Sequence, residues 1–214
     1  MDPVFPRLHV ITDARPGRDP LGVVTAAVAA AVRLGLADRL AIQVRVEDDT
    51  TDRLAFALTT EILDQCRPAG VLCLVNDRLH VALAADADGA HVGADDLPVA
   101  LARKVLGPGT VLGATCRDET AARSAVRAGA TYLGVGPAFA TATKTGLPAP
   151  LGAATIGTVA RSVPGTPVVA IGGVTVDTAP ALIEAGASAV AVVGAVAGAA
   201  DPGEATARLL KALS

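Results

Sequence analysis

A chain of 214 residues has room for one large domain, and half of it is apolar, which is ample for a core. A net charge of −3, no basic run and an aromatic share of only 2% argue against a nucleic-acid partner, which needs a cationic stripe and rings to stack on. The opening MDPVFPRLHVITD lacks a positive segment followed by a long apolar core, and the nearest thing to a bilayer span, GASAVAVVGAVAGAA, is short and broken by glycines, so neither secretion nor a membrane is expected.

Taken in chain order, short β-rich runs alternate with longer Ala-, Leu- and Arg-rich stretches. LHVIT (8–12) leads into a helical stretch near 20–35, LAIQVRV (40–46) into 51–67, and GVLCLV (70–75) into 78–86. GAHVG (89–93) precedes 97–106, TVLGAT (110–115) precedes 118–128, and TYLGVG (131–136) precedes 151–162. PVVAIG (167–172) and SAVAVVG (188–194) are followed by helices near 177–185 and 203–213. RDETAARSAVRAGA opens with an acidic first turn and closes at Gly129, and VDTAPALIEAGAS closes likewise at Gly186. Eight strands and eight helices in 214 residues leave about 27 residues per unit, the length of a strand, a helix and two short loops. Strict alternation predicts a parallel sheet with right-handed crossovers. Eight units favour closure into a (β/α)8 barrel, residues 1–214 forming a single domain, over an open doubly wound sheet of five to seven strands. Cys66, Cys73 and Cys116 are an odd set without CxxC spacing and read as buried thiols of a cytoplasmic protein.

In such a barrel, chemistry gathers where strands end. Polar residues do collect there. Gln43, Arg45 and Glu47 alternate with valines after the second run, so they share one side of the strand, facing the barrel axis near its mouth. Asn76 and Asp77 follow the third run; His91, Asp95 and Asp96 lie in and after the fourth; Thr115, Cys116 and Arg117 close the fifth. Asp77 with Asp95 or Asp96 would offer Mg²⁺ hard oxygen ligands and leave positions for water and a substrate phosphate. Asp95 also has the look of a helix cap, and His91 reads as strand packing. The glycines of IGGV (171–174) and VVGA (193–196) would bare backbone N–H groups to a phosphate. FATATKTG (139–146) sets Lys144, one of only three lysines, among threonine hydroxyls. No P-loop, GxSxG or HExxH is present, and the three histidines are not grouped as metal ligands.

The set IQVRVED, VNDR, GAHVGADDLP, GVGPAFATATKTG, AIGGV and AVVGA, in this order and spacing from about residue 8 to 210, resembles the thiamine phosphate synthase family. The resemblance implies a Mg²⁺-assisted transferase acting on a hydroxymethylpyrimidine diphosphate and a hydroxyethylthiazole phosphate. It implies that Gln43, Arg45 and Asn76 hold the pyrimidine and its diphosphate, that Asp77 and Asp96 ligate Mg²⁺, and that Thr115 and Lys144 contact the diphosphate. Thr141, Ala142, Thr143, Gly173, Val193 and Gly194 would hold the thiazole phosphate, and Lys144, Thr115 and Arg45 would carry the catalysis. Its partners are phosphate-bearing small molecules, and a homo-oligomer is compatible with it. The chain departs from the family pattern at Glu47, commonly Lys, at Ala94, often Gln, and at Gly194, often Ser. Glu47 within the substrate pocket is expected to turn and pair with Arg45; metal binding by its carboxylate and weakened activity are the alternatives. Two rival readings remain beside this one. A thiazole tautomerase-like isomerase needs a working His after the fifth run, where Arg117 stands. A non-catalytic phosphate-binding barrel would accommodate the Glu47 change.

Overall fold

A computed structural model describes residues 5–141 and 146–214. Eight strands, β1 (Leu8–Ile11), β2 (Leu40–Val44), β3 (Leu72–Asn76), β4 (Gly89–Val92), β5 (Val111–Cys116), β6 (Tyr132–Val135), β7 (Val168–Ile171) and β8 (Ala189–Val192), pair in parallel in sequence order. β8 returns to β1 through Leu8 and Val190, so the sheet is a closed barrel. The helices are α1 (Pro20–Leu34), α2 (Asp52–Ala69), α3 (Leu79–Ala84), α4 (Val99–Leu106), α5 (Glu119–Arg127), α6 (Gly152–Ser162), α7 (Ala179–Glu184), α8 (Gly194–Ala197) and α9 (Pro202–Ala212).

The strands read as unbroken apolar runs because both their faces are covered. Outward side chains such as Val10, Ile42, Leu112, Leu133 and Val190 are buried with helix residues such as Val24, Ile62, Leu182 and Leu209 in one continuous layer. Inward ones form a second, smaller cluster of Ile11, Leu74, Tyr132, Val169, Ala189 and Ala191. Phe5, just ahead of β1, packs its ring on those of His9 and Tyr132, with centroids 5.3 and 5.5 Å away, and so covers the N-terminal end of the barrel. Several helix starts carry a side-chain cap. Asp19 accepts the Gly22 N–H ahead of α1, Asp118 that of Ala121 ahead of α5, and Asp201 that of Glu204 ahead of α9.

Two readings are corrected. Asp95 caps nothing: α4 begins after Pro98 without a side-chain cap, and the preceding turn is closed by Asp96, whose Oδ2 accepts the Gly93 N–H at 2.7 Å. A short helix, α8, follows β8 where only the longer final helix was expected. Among the described residues no helix is long and apolar enough to cross a membrane, and all three cysteines are buried and free.

Candidate active site

The C-terminal ends of the strands gather most of the expected residues into one mouth. Asn76 closes β3, and its neighbour in the ladder is His91 of β4. Asp77 follows with φ of +60°, a left-handed conformation that non-glycine residues seldom adopt and that Asp tolerates better than most. It is held there from two directions. Its N–H donates to the His91 carbonyl at 2.8 Å, and the Asn76 carboxamide donates to its Oδ2. Asp96 lies just past the end of the adjacent strand β4, its carboxylate oriented by Gly93. Two carboxylates at neighbouring strand ends supply the hard oxygens that Mg²⁺ prefers. Among the described residues no three His, Cys, Asp or Glu side chains group as a metal cage. A metal at this mouth would therefore rest on these two acids and on ligand oxygens.

On the neighbouring side, β2 ends at Val44, so Arg45 and Glu47 lie beyond the ladder. Thr12 fixes them. Its hydroxyl donates to the Arg45 carbonyl at 2.7 Å and accepts the Arg45 N–H at 2.8 Å. The expected pairing of the departure residue is present: Arg45 Nη1 lies 3.5 Å from Glu47 Oε1. This is ion-pair distance without hydrogen-bond geometry, and Glu47 Oε1 is enclosed without a hydrogen-bond partner among the described residues. Arg78 holds the following loop by donating to the Glu47 and Asp48 carbonyls and pairing with Asp52 at 2.8 Å. Sequence reading passed over Asp13, which sits buried after β1 between Arg15 at 2.7 Å and Arg18 at 3.3 Å. The hydrogen-bonded Arg15 guanidinium holds its carboxyl below the usual carboxylate range.

Gly173, with φ of +67°, has no room for a side chain. A Cβ there would lie 2.5 Å from the Ala140 carbonyl oxygen and 2.8 Å from Phe139 Cβ. This close approach locks the loop after β7 under the one after β6, aided by the Ala138 and Phe139 N–H groups donating to Ile171 and Gly172. Thr141 is partly buried at the far end of that loop. Val193 precedes the first turn of α8, where Gly194 is exposed and first-turn N–H groups have no intrahelical acceptor. Ala142, Thr143 and Lys144 lie outside the described residues. Arg117, where a tautomerase would need histidine, spends its guanidinium on the Gly136 and Ala149 carbonyls.

Below the mouth a small polar cluster sits within the apolar interior, and sequence reading missed its connections. Gln43, His91, Thr115 and Tyr132, with His9, line a small cavity of about 40 Å³. Gln43 Nε2 lies 3.4 Å from Tyr132 Oη, which lies 3.0 Å from His91 Nδ1; His91 Nε2 lies 2.9 Å from Thr115 Oγ1. His91 is therefore a hydrogen-bonded member of the interior and not simple strand packing. The available signal was the single tyrosine of the chain alternating with Gly134 on a strand. Burial pushes His91 down to about 4 and His9 to about 3, the latter with a further push from His91. Both stay neutral in the fold yet would charge in the unfolded chain below about pH 6.5. The unfolded state thus binds more protons between pH 6.5 and 4, and stability is lost as pH falls through that window. Thermal melts should show a loss on the order of a few kcal/mol from pH 7 to 4.5, above the range where the paired carboxylates titrate. A flat melting temperature over that interval would contradict the neutral interior.

The family described as thiamine monophosphate synthase matches residues 8–196 of the chain. The thiamine-phosphate synthase of Salinispora arenicola is 55% identical over 97% of both chains. That of Chloroflexus aurantiacus is 44% identical over 97% of this chain and 92% of its own. Among solved structures, the thiamine phosphate pyrophosphorylase of Pyrococcus furiosus superposes with a TM-score of 0.84 at 33% identity, covering 97% of this chain and 95% of that one.

Proposed function

Because the chain belongs to the thiamine monophosphate synthase family and is a transferase of that kind, we propose that it joins a hydroxymethylpyrimidine diphosphate to a hydroxyethylthiazole phosphate, giving thiamine phosphate and pyrophosphate. The observation that carries this reading is the shared mouth: Gln43, Arg45, Asn76, Asp77, Asp96 and Thr115 come from β2 to β5, and Gly173, Val193 and Gly194 from the far side of the barrel. One arc is rich in acids, amides and a guanidinium, and the other in glycines and backbone N–H groups, which suits two phosphate-bearing ligands side by side.

In this reading the bond between the pyrimidine methylene and the diphosphate oxygen breaks first, and its electron pair leaves with pyrophosphate. The electron-rich aminopyrimidine stabilises the cation, and the thiazole nitrogen lone pair forms the new C–N bond. No side-chain nucleophile is required, which agrees with the residues present. Gln43 and Asn76 orient the pyrimidine, while Arg45, Thr115 and Lys144 bind the departing oxygens. Glu47 holds Arg45 in place. Thr141, Ala142 and Thr143 with Gly173, Val193 and Gly194 cradle the thiazole phosphate. Asp77 and Asp96 would hold Mg²⁺, which when bound supplies positive charge to the diphosphate oxygens. The buried thiols and the phosphorylated small-molecule partners fit a cytoplasmic setting.

Pyrophosphate should appear only when both substrates and Mg²⁺ are supplied, in step with thiamine phosphate. Full activity in excess chelator would remove the metal from this account, and pyrophosphate release indifferent to the thiazole would remove the transfer.

A further inference from the structure

The interior hydrogen bonds form one chain that runs from Gln43 to Thr115. Gln43 Nε2 donates to Tyr132 Oη. In one polarity of this chain the phenol oxygen accepts from Gln43 and its single proton is donated to His91 Nδ1, 3.0 Å away. With Nδ1 accepting, the ring proton sits on Nε2 and faces Thr115 Oγ1, 2.9 Å away. The Thr115 hydroxyl accepts at that point. In that polarity its own proton is left for an acceptor at the mouth.

The barrel is built to house this chain. Gly113 and Gly134 stand inside strands, where β-branched residues ordinarily pack best. A Cβ at Gly113 would lie 2.1 Å from Tyr132 Cζ and 2.3 Å from His91 Nδ1, and one at Gly134 would lie 2.9 Å from His91 Cε1. Both strands give up a side chain to the two rings. Tyr132 is 1% exposed and His91 8%, which leaves Thr115 as the member of the chain nearest the mouth.

We propose that Tyr132 and His91 are positioning residues: through the ordered chain Gln43–Tyr132–His91–Thr115 they fix the Thr115 hydroxyl as a donor aimed at an anionic oxygen of the leaving diphosphate. The inference rests on the function proposed above. A donor there stabilises gathering negative charge. The reverse polarity would present lone pairs to an anion and oppose its departure. Neither Tyr132 nor His91 needs to touch the substrate for this.

The test is a double-mutant cycle on the intact protein, read by pyrophosphate release and by equilibrium binding of inorganic pyrophosphate with Mg²⁺. Tyr132→Phe keeps the ring and removes the link. It should lower kcat by about fivefold to tenfold, the scale of one misdirected hydrogen bond, with KM for the thiazole phosphate changed less than twofold. In a Thr115→Val background the same change should cost less than twofold. In Thr115→Ser, which keeps a hydroxyl, its full cost should return. Equal costs of Tyr132→Phe with and without the Thr115 hydroxyl, or no cost in the parent, would overturn the proposal. Should Tyr132→Phe fail to fold in thermal melts, His91→Gln takes its place in the same cycle. The binding arm separates this inference from its premise. If the parent protein releases no pyrophosphate with both substrates, the functional reading fails; the inference then stands or falls on whether Tyr132→Phe weakens pyrophosphate binding only when the Thr115 hydroxyl is present.

Discussion

Asp77→Asn is expected to lower turnover by about 10³-fold and to flatten what remains against Mg²⁺ concentration, the scale of several kcal/mol that a Lewis-acidic ion contributes to a charged leaving group. Asparagine is the informative replacement. It tolerates the left-handed backbone that position 77 adopts, keeps the shape of the side chain and removes only the charge. Alanine would add backbone strain and mix two effects. The Asp77 N–H bond to His91 and the Asn76 contact survive in geometry, so thermal melts of the variant should stay close to the parent. The measurement is initial rate of pyrophosphate release across a Mg²⁺ titration. A variant that still responds to Mg²⁺ with the parent midpoint would show that Asp77 holds no metal.

Lys144→Ala should lower kcat by about 10²-fold or more, as expected for one strong electrostatic contact to a developing anion. The chain has only three lysines, and the other two stand in the last turns of α4 and α9. Helices of this barrel run antiparallel to the strands, so their last turns lie at the end away from the mouth. No second lysine is therefore available to stand in. Lys144→Arg should recover part of the loss, because charge is kept and the compact ammonium is not. A rate for Lys144→Ala equal to the parent would end its assigned role.

The barrel was legible because each strand is covered on both faces. Unbroken apolar runs bounded by Gly129- and Gly186-type stops leave little room for another period. What failed was local or long-range in specific ways. α8 is four residues of Gly, Ala and Val, too short to show a period and indistinguishable from the end of its strand. Asp95 and Asp96 are chemically alike, and which one closes the turn depends on where the Gly93 N–H points. Asn76, Asp77 and Asp96 were placed by their position just after apolar runs, whereas the alternation used for Arg45 and Glu47 overran β2, which ends at Val44. The interior chain was not legible, since Gln43 meets Tyr132 across 89 residues and His91 meets Thr115 across 24, spacings that no sequence period encodes. The use of Gly113 and Gly134 shows only beside the rings they make room for.

The stacked rings of Phe5, His9 and Tyr132 have a kinetic corollary. These rings fill the N-terminal end of the barrel among the described residues, and the mouth is the entrance that the proposed site uses. Under the proposed reaction both reactants would come in and both products go out by the mouth, so pyrophosphate should compete with the next pyrimidine diphosphate for the free protein.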